Sequence, residues 1–231
     1  MFEIYLTKDA QNAMTKDDVY LITQTMRIFN GLRLFIMIAD DIRRRGPDDI
    51  LNQKKYIELH FSHAANLNEV LVALEEDLFP RYKNVLKSKA ILGQLAKWEE
   101  RIKQKDETTR VLSAIRNKHA FHVAHDPYYP WNYITEAPAT YDKVIAVGET
   151  MQGAGWLFTW DLDLIFEYLR DHALEQKGDP LTVATRVKTI INEASVDLWN
   201  LFEKIVAELL LDRCYITGNK EEAERDYRKD P

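Results

Sequence analysis

Long segments of this 231-residue chain repeat apolar residues every three or four positions, which is the spacing of one face of an α-helix. The whole chain has only eight glycines and seven prolines, so these segments can continue for many turns. The pattern predicts a mainly α fold, built as a bundle of long antiparallel helices. The predicted core helices lie at about 16–45, 48–78, 83–105, 109–124, 161–174 and 181–214.

Local residue types mark where the first two helices begin and end. Thr15 followed by Asp18 resembles a capping box, in which each residue's side chain bonds the other's backbone N–H. Gly46-Pro47 is expected to stop the first helix. Phe79-Pro80 is expected to stop the second, because proline lacks an N–H and clashes with the preceding turn.

One region departs from the helical pattern. Residues 144–160 read VIAVGETMQGAGWLFTW, two β-like runs around a glycine-rich turn, which predicts a small β-hairpin-like insertion near 143–160. We interpret residues 1–214 as a single helical domain that includes this insertion. The charged segment 215–231 is predicted to be a disordered tail.

Charge and cysteine content limit the classes of function. The net charge of −6 argues against sequence-independent DNA binding through bulk positive charge. A single cysteine, Cys214, excludes an intramolecular disulfide and fits a reducing compartment. The first residues do not resemble a secretory signal, and no apolar run approaches the roughly 20 residues that span a bilayer. We therefore predict a cytoplasmic protein without membrane contact.

Three of the six histidines lie in residues 114–126, AIRNKHAFHVAHD. On a helical wheel His119 lies about 60° and His122 about 120° from Arg116, to the same side. Val111, Leu112 and Ile115 fall in or beside this sector, so the face is otherwise apolar and is expected to be buried. An arginine there keeps its charge and needs a carboxylate or another anion beside it. A crevice or a dimer contact through the helix with Ile115 and His119 is the predicted setting.

Arg116, the polar Asn117 and His122 together resemble the motif of the HEPN superfamily (higher eukaryotes and prokaryotes nucleotide-binding domains). The apolar helix leading into Arg-Asn-Lys is similar to the abortive-infection and ribonuclease-toxin branch. The resemblance implies a small helical bundle, a homodimer, RNA or a nucleotide as ligand, a toxin or phage-defence role with an antitoxin partner, and no metal or other cofactor.

The resemblance also implies a catalytic role for two residues. His122 would act as the general base or general acid of a metal-independent endoribonuclease. Arg116 would hold the phosphate and stabilise the charge that develops on it. Asn117 would orient the histidine or the phosphate. His119 does not have the family's spacing from Arg116 and lies nearer the middle of the apolar sector, so it is predicted to support the site through packing.

Structural roles for the same residues stay open. Arg116 is also interpreted as the partner of a bundle carboxylate, and His119 and His122 as hydrogen-bonded structural histidines. His125 and His172 suit helix ends. His60 and His63 suit packing or a polar lining on the apolar stripe of the second helix. Two further hypotheses are a non-enzymatic helical dimer and a metal-binding bundle, in which His60 and His63 join His119 and His122 around zinc.

Overall fold

The chain is mainly α in the computed structural model, which describes residues 5–6, 12–45, 50–117, 147–149, 156–158, 160–175, 177–213 and 216–217. The helices are α1 (Lys16–Arg45), α2 (Ile50–Ala73), a π-helical turn (Leu74–Leu78), α3 (Phe79–Val85), α4 (Lys89–Gln104), α5 (Glu107–Ile115), α6 (Trp160–His172) and α7 (Pro180–Arg213). The strands are β1 (Tyr5–Leu6), β2 (Val147–Glu149), β3 (Trp156–Phe158) and β4 (Ile216–Thr217).

Helix α1 begins with the capping box that the sequence predicts. The Thr15 N–H donates to Asp18 Oδ2 at 3.0 Å, and the Asp18 N–H donates to Thr15 Oγ1 at 3.1 Å. Two N–H groups that lack partners within the helix are thereby satisfied.

The prediction that Phe79-Pro80 ends the second helix is wrong. A π-helical turn, Leu74–Leu78, follows α2, and the Phe79 N–H donates to the carbonyl of Leu74, five residues earlier. Pro80 then stands in the first turn of α3, where a missing N–H is tolerated. The chain stays helical until Leu86, whose backbone is extended.

Glu208 of α7 stabilises the break between α3 and α4. Its Oε1 accepts the N–H groups of Lys87 at 2.5 Å and Ser88 at 3.0 Å, just before α4 begins. The predicted third helix, 83–105, therefore corresponds to the end of α3, a capped break and α4.

Helix α4 ends at Gln104, and the next residue, Lys105, has a φ of 49°, in the left-handed region. The Lys105 N–H donates to the Ile102 carbonyl and the Asp106 N–H donates to the Arg101 carbonyl, the two bonds of a Schellman motif. Asp106 then caps α5, since its Oδ1 accepts the Thr109 N–H at 2.9 Å. The two helices are thus joined by a tight, fully bonded turn.

Two antiparallel strand pairs are present among the described residues. Strand β2 pairs with β3, with Val147 opposite Phe158 and Glu149 opposite Trp156. The residues that would join them into the predicted hairpin lie outside the described residues, so the insertion near 143–160 stays a prediction. Strand β1 pairs with β4, which places Ile216-Thr217 of the predicted tail in a ladder. The other residues of 215–231 lie outside the described residues.

The chain divides into two compact units. Unit 1 contains Met1–Arg33, Ala73–Glu99 and Asp197–Pro231, and unit 2 contains Leu34–Val72 and Glu100–Val196. The core of unit 1 includes Leu74, Leu78, Tyr82, Leu95 and Phe202. The core of unit 2 includes Phe61, Leu67, Leu112, Ile115, Ile165, Leu169 and Ile190. The single domain predicted over 1–214 stays a prediction.

Candidate functional site

The helix that carries the arginine motif buries its apolar face within one chain. Val111, Leu112 and Ile115 of α5 have no exposed surface, as the helical wheel predicts. Ile115 is therefore not available to a second copy of the chain unless the core opens. The predicted dimer contact through the helix that carries Ile115 and His119 stays a prediction, because His119 lies outside the described residues.

Arg116 follows the last residue of α5 and lies at the surface of unit 2. Its Nε donates to Oε1 of Glu69 in α2 at 2.8 Å, and its side chain is 32% exposed. Its Nη1 donates to Oδ1 of Asn117 at 2.9 Å. Asn117 is fixed in turn, because its Nδ2 donates to Ser113 Oγ at 3.2 Å. The guanidinium is thus held from two sides, by a carboxylate of another helix and by its own neighbour.

This arrangement keeps the charge of Arg116 and leaves it in contact with solvent. The Glu69 side chain is 49% exposed, so the ion pair is a surface pair and contributes about 0–1 kcal/mol. A guanidinium in such a position can exchange one anion for another at little cost in stability. The arrangement is therefore able to bind a phosphate or carboxylate group.

His119, His122 and His125 lie outside the described residues, which stop at Asn117 and resume at Val147. Arg116 and Asn117 are the two predicted site residues that the structure describes, and they are in direct contact with each other. The catalytic role of His122 and the supporting role of His119 stay predictions.

A second polar cluster of unit 2 is buried. His60 and His63 of α2 are only 3% and 4% exposed. The His63 ring stacks on Phe35 with 3.4 Å between ring centroids, and its Nε2 lies 3.0 Å from the hydroxyl of Ser195. The His60 ring meets Phe35 edge-on at 5.3 Å. The predicted packing role of these two histidines is confirmed.

Burial sets the protonation state of this cluster. Loss of hydration, together with the neighbouring His60, lowers the pKa of His63 to about 3, so its ring is neutral at pH 7. Ser195 is 1% exposed, and the serine–histidine pair cannot meet a substrate in this state. The pair has the spacing of a nucleophile and its base but lacks access, so it is interpreted as a core hydrogen bond.

Within the described residues, no group of three or more His, Cys, Asp or Glu side chains is arranged to hold a metal ion. His119 and His122 of the four-histidine hypothesis are outside this set. Among the described helices, none has both the length and the apolar character that a bilayer crossing requires.

The sequence did not predict two hydrogen-bonding partners, Glu69 for Arg116 and Ser195 for His63. It predicted that Arg116 needs a carboxylate, but not that Glu69 provides it, because the contact joins helices 47 positions apart. Ser195 lies 132 positions from His63 and carries no local signal either. Helical periodicity does place Glu69 about 180° from His60 and therefore on the solvent side of α2.

Comparison with family models, with curated proteins and with solved structures finds no match.

Proposed function

We propose that the chain is a HEPN-like, metal-independent endoribonuclease, with Arg116 as the phosphate-binding group and His122 as the acid–base group. The observation that supports the proposal is the state of Arg116. It is a charged, partly exposed guanidinium held in place by Glu69 and Asn117. Such a group is suited to a phosphodiester, which accepts hydrogen bonds from an arginine fork.

The proposed reaction is an internal transesterification of RNA. The 2′-oxygen attacks the adjacent phosphorus while His122 takes the 2′-proton, and the bond from phosphorus to the 5′-oxygen breaks. The leaving 5′-oxygen takes a proton from solvent water, His122 later returns its proton to solvent, and the products are a 2′,3′-cyclic phosphate and a 5′-hydroxyl. Arg116 stabilises the added negative charge on the phosphorane oxygens. Asn117 orients the guanidinium, and His119 supports the fold around His122.

The proposal has three further parts. RNA is the substrate, the working form is a homodimer in the cytoplasm, and the biological role is that of a toxin or a phage-defence protein restrained by an antitoxin. Since Ile115 is buried, the dimer contact must use other residues than the apolar face of α5.

The test is cleavage of single-stranded RNA by purified protein. His122→Ala should lower the rate by roughly 10²–10⁴-fold, the usual scale for the loss of an acid–base group, with little change in Tm. Arg116→Ala should lower it by a similar factor, while Arg33→Ala, an exposed arginine of α1, should leave it unchanged. Activity should survive EDTA. An active His122→Ala protein, or activity lost to EDTA and restored by zinc, contradicts the proposal.

A second candidate function is a non-enzymatic helical binding protein, and the Arg116–Glu69 ion pair favours it. In that case the pair only ties α5 to α2. RNA cleavage would be absent, and Arg116→Ala would change stability alone. The same set of variants therefore distinguishes the two functions.

A further inference from the structure

Glu69 is the carboxylate that pairs with Arg116, and its place on α2 is distinct from that of the buried histidines. Counting about 100° per residue puts Glu69 about 180° from His60 and 120° from His63. His60 and His63 face the core, whereas the Glu69 side chain is 49% exposed. Glu69 is thus on the solvent side of the helix, where a ligand of Arg116 would arrive.

A phosphate and a carboxylate use the same donors of a guanidinium. Glu69 Oε1 occupies the Nε donor of Arg116 at 2.8 Å, and Nε belongs to the edge of the fork that binds two oxygens of an anion at once. A phosphate that uses this edge must displace Glu69. A phosphate that uses another edge still lies within a few ångströms of the carboxylate and is repelled by it.

The exposed pair is easily opened. An ion pair between two partly exposed side chains contributes little to stability, so releasing Glu69 does not endanger the fold. The hydrogen bond from Arg116 Nη1 to Asn117 lies on the other side of the guanidinium and does not depend on Glu69. Asn117 can therefore keep the guanidinium oriented while its anion is exchanged.

We infer that Glu69 competes with phosphate for Arg116. Its carboxylate occupies the guanidinium until a phosphodiester displaces it, and this competition sets the affinity of the site for RNA. This inference rests on the proposed function, namely that Arg116 binds a phosphate. It differs from that function in assigning a role to a residue that needs no contact with the reacting atoms. Glu69 weakens binding at Arg116, and the neutral variant is the better binder.

The experiment measures the Kd of a short fluorescent oligouridylate by anisotropy, with inorganic phosphate as a competing ligand. Glu69→Gln keeps the oxygen acceptor and removes the charge, so it should tighten the Kd by about 3–10-fold. Phosphate should compete at correspondingly lower concentration. Glu76→Gln, which removes a charge from another exposed position, should change the Kd by less than about 2-fold.

Arg116→Ala and the double variant Glu69→Gln/Arg116→Ala complete the set. If Glu69 acts through Arg116, the gain from Glu69→Gln disappears in the Arg116→Ala background. If Arg116→Ala weakens binding while Glu69→Gln leaves it unchanged or weakens it, the competitor role is wrong and the phosphate site stands. If neither single variant changes binding, the competitor role and the proposed function are both wrong. Equal gains from Glu69→Gln and Glu76→Gln also overturn the competitor role, because they show only the effect of net charge.

Discussion

Helix α2 carries two ionisable sites on different faces, and the two sites are built in opposite ways. His63 is buried, neutral and fixed by Phe35 and Ser195. Glu69, less than two turns later, is half exposed, charged and paired with a partly exposed arginine. The same helix therefore contributes a polar group to the core and a charged group to the surface.

The difference decides what each site can do. A buried polar group that loses its partner carries the full cost of its lost hydration, whereas an exposed ion pair exchanges its partner for water. The histidine cluster is consequently expected to control stability and to be insensitive to ligands. The arginine site is expected to control binding and to be nearly neutral for stability.

The largest expected effect is the loss of the His63 ring. His63→Ala leaves a cavity beside Phe35 and removes the partner of the Ser195 hydroxyl, so the free energy of unfolding should fall by about 2–4 kcal/mol. Urea unfolding of both proteins measures this change in the free energy of unfolding. Ser62→Ala, at the exposed neighbouring position, should stay within about 0.5 kcal/mol of the original protein. Equal effects of the two substitutions would show that the ring is not packed as described.

Acid should destabilise the protein through the same residue. The pKa of His63 is about 3 in the folded protein and near its ordinary value of 6.5 in the unfolded chain, so the unfolded chain binds more protons between these values. The contribution of the neutral His63 ring to the free energy of unfolding is complete above about pH 6.5. It is lost as the pH falls towards 3, and the free energy of unfolding then decreases by no more than about 1.4 kcal/mol per pH unit.

The pH experiment compares unfolding free energies of the original protein and of His63→Gln between pH 7 and pH 4. The original protein should lose more stability over this range, because glutamine does not titrate. An NMR titration of the His63 ring gives an independent reading and should show no protonation between pH 8 and pH 5. A ring that titrates near pH 6.5 contradicts the burial of this cluster.

A smaller effect is expected for the serine that meets His63. Ser195→Ala removes one hydroxyl without a large cavity and leaves His63 Nε2 without this hydrogen bond, at a cost of about 1–2 kcal/mol. In a double-mutant cycle, Ser195→Ala should cost less in the His63→Ala background than in the original protein. Strictly additive effects would mean that the two side chains do not interact.

The smallest effect should come from the exposed site. Glu69→Gln and Arg116→Ala should each lower the free energy of unfolding by less than about 1 kcal/mol, because water replaces the lost partner. Thermal unfolding of the original protein and of each variant, at low and at high salt, measures this loss of stability. A loss above 2 kcal/mol for either variant would place the ion pair among the contacts that hold the fold together, and would favour the non-enzymatic function.

The sequence was most informative where the signal is local. The reciprocal bonds of Thr15 and Asp18 were predictable because both residues lie within one helical turn. The apolar face of α5 and the burial of His63 followed from helical periodicity. Pro80 misled the prediction, because a π-helical turn before it moves the proline into the first turn of a new helix. A π-helical turn contains one more residue than an α-helical turn, and the spacing of apolar residues does not indicate where such a turn occurs.

Contacts between helices were not predictable from one sequence. That Arg116 needs an anion followed from its charge, but the choice of Glu69 depends on how α5 packs beside α2. The choice of Ser195 for His63 depends in the same way on α7. Residue type predicted the kind of partner in the first case, and in the second it predicted only that some partner must exist.

The hydrogen bond between His63 and Ser195 also has a consequence for the order of folding. The two residues are 132 positions apart, so helix α2 leaves the ribosome long before its hydrogen-bonding partner is synthesised. A nascent chain that ends before Ser195 has no hydroxyl to offer the His63 ring, and closing so long a loop carries an entropic cost. We therefore expect chains arrested before residue 195 to be captured by chaperones, and release to follow the synthesis of α7.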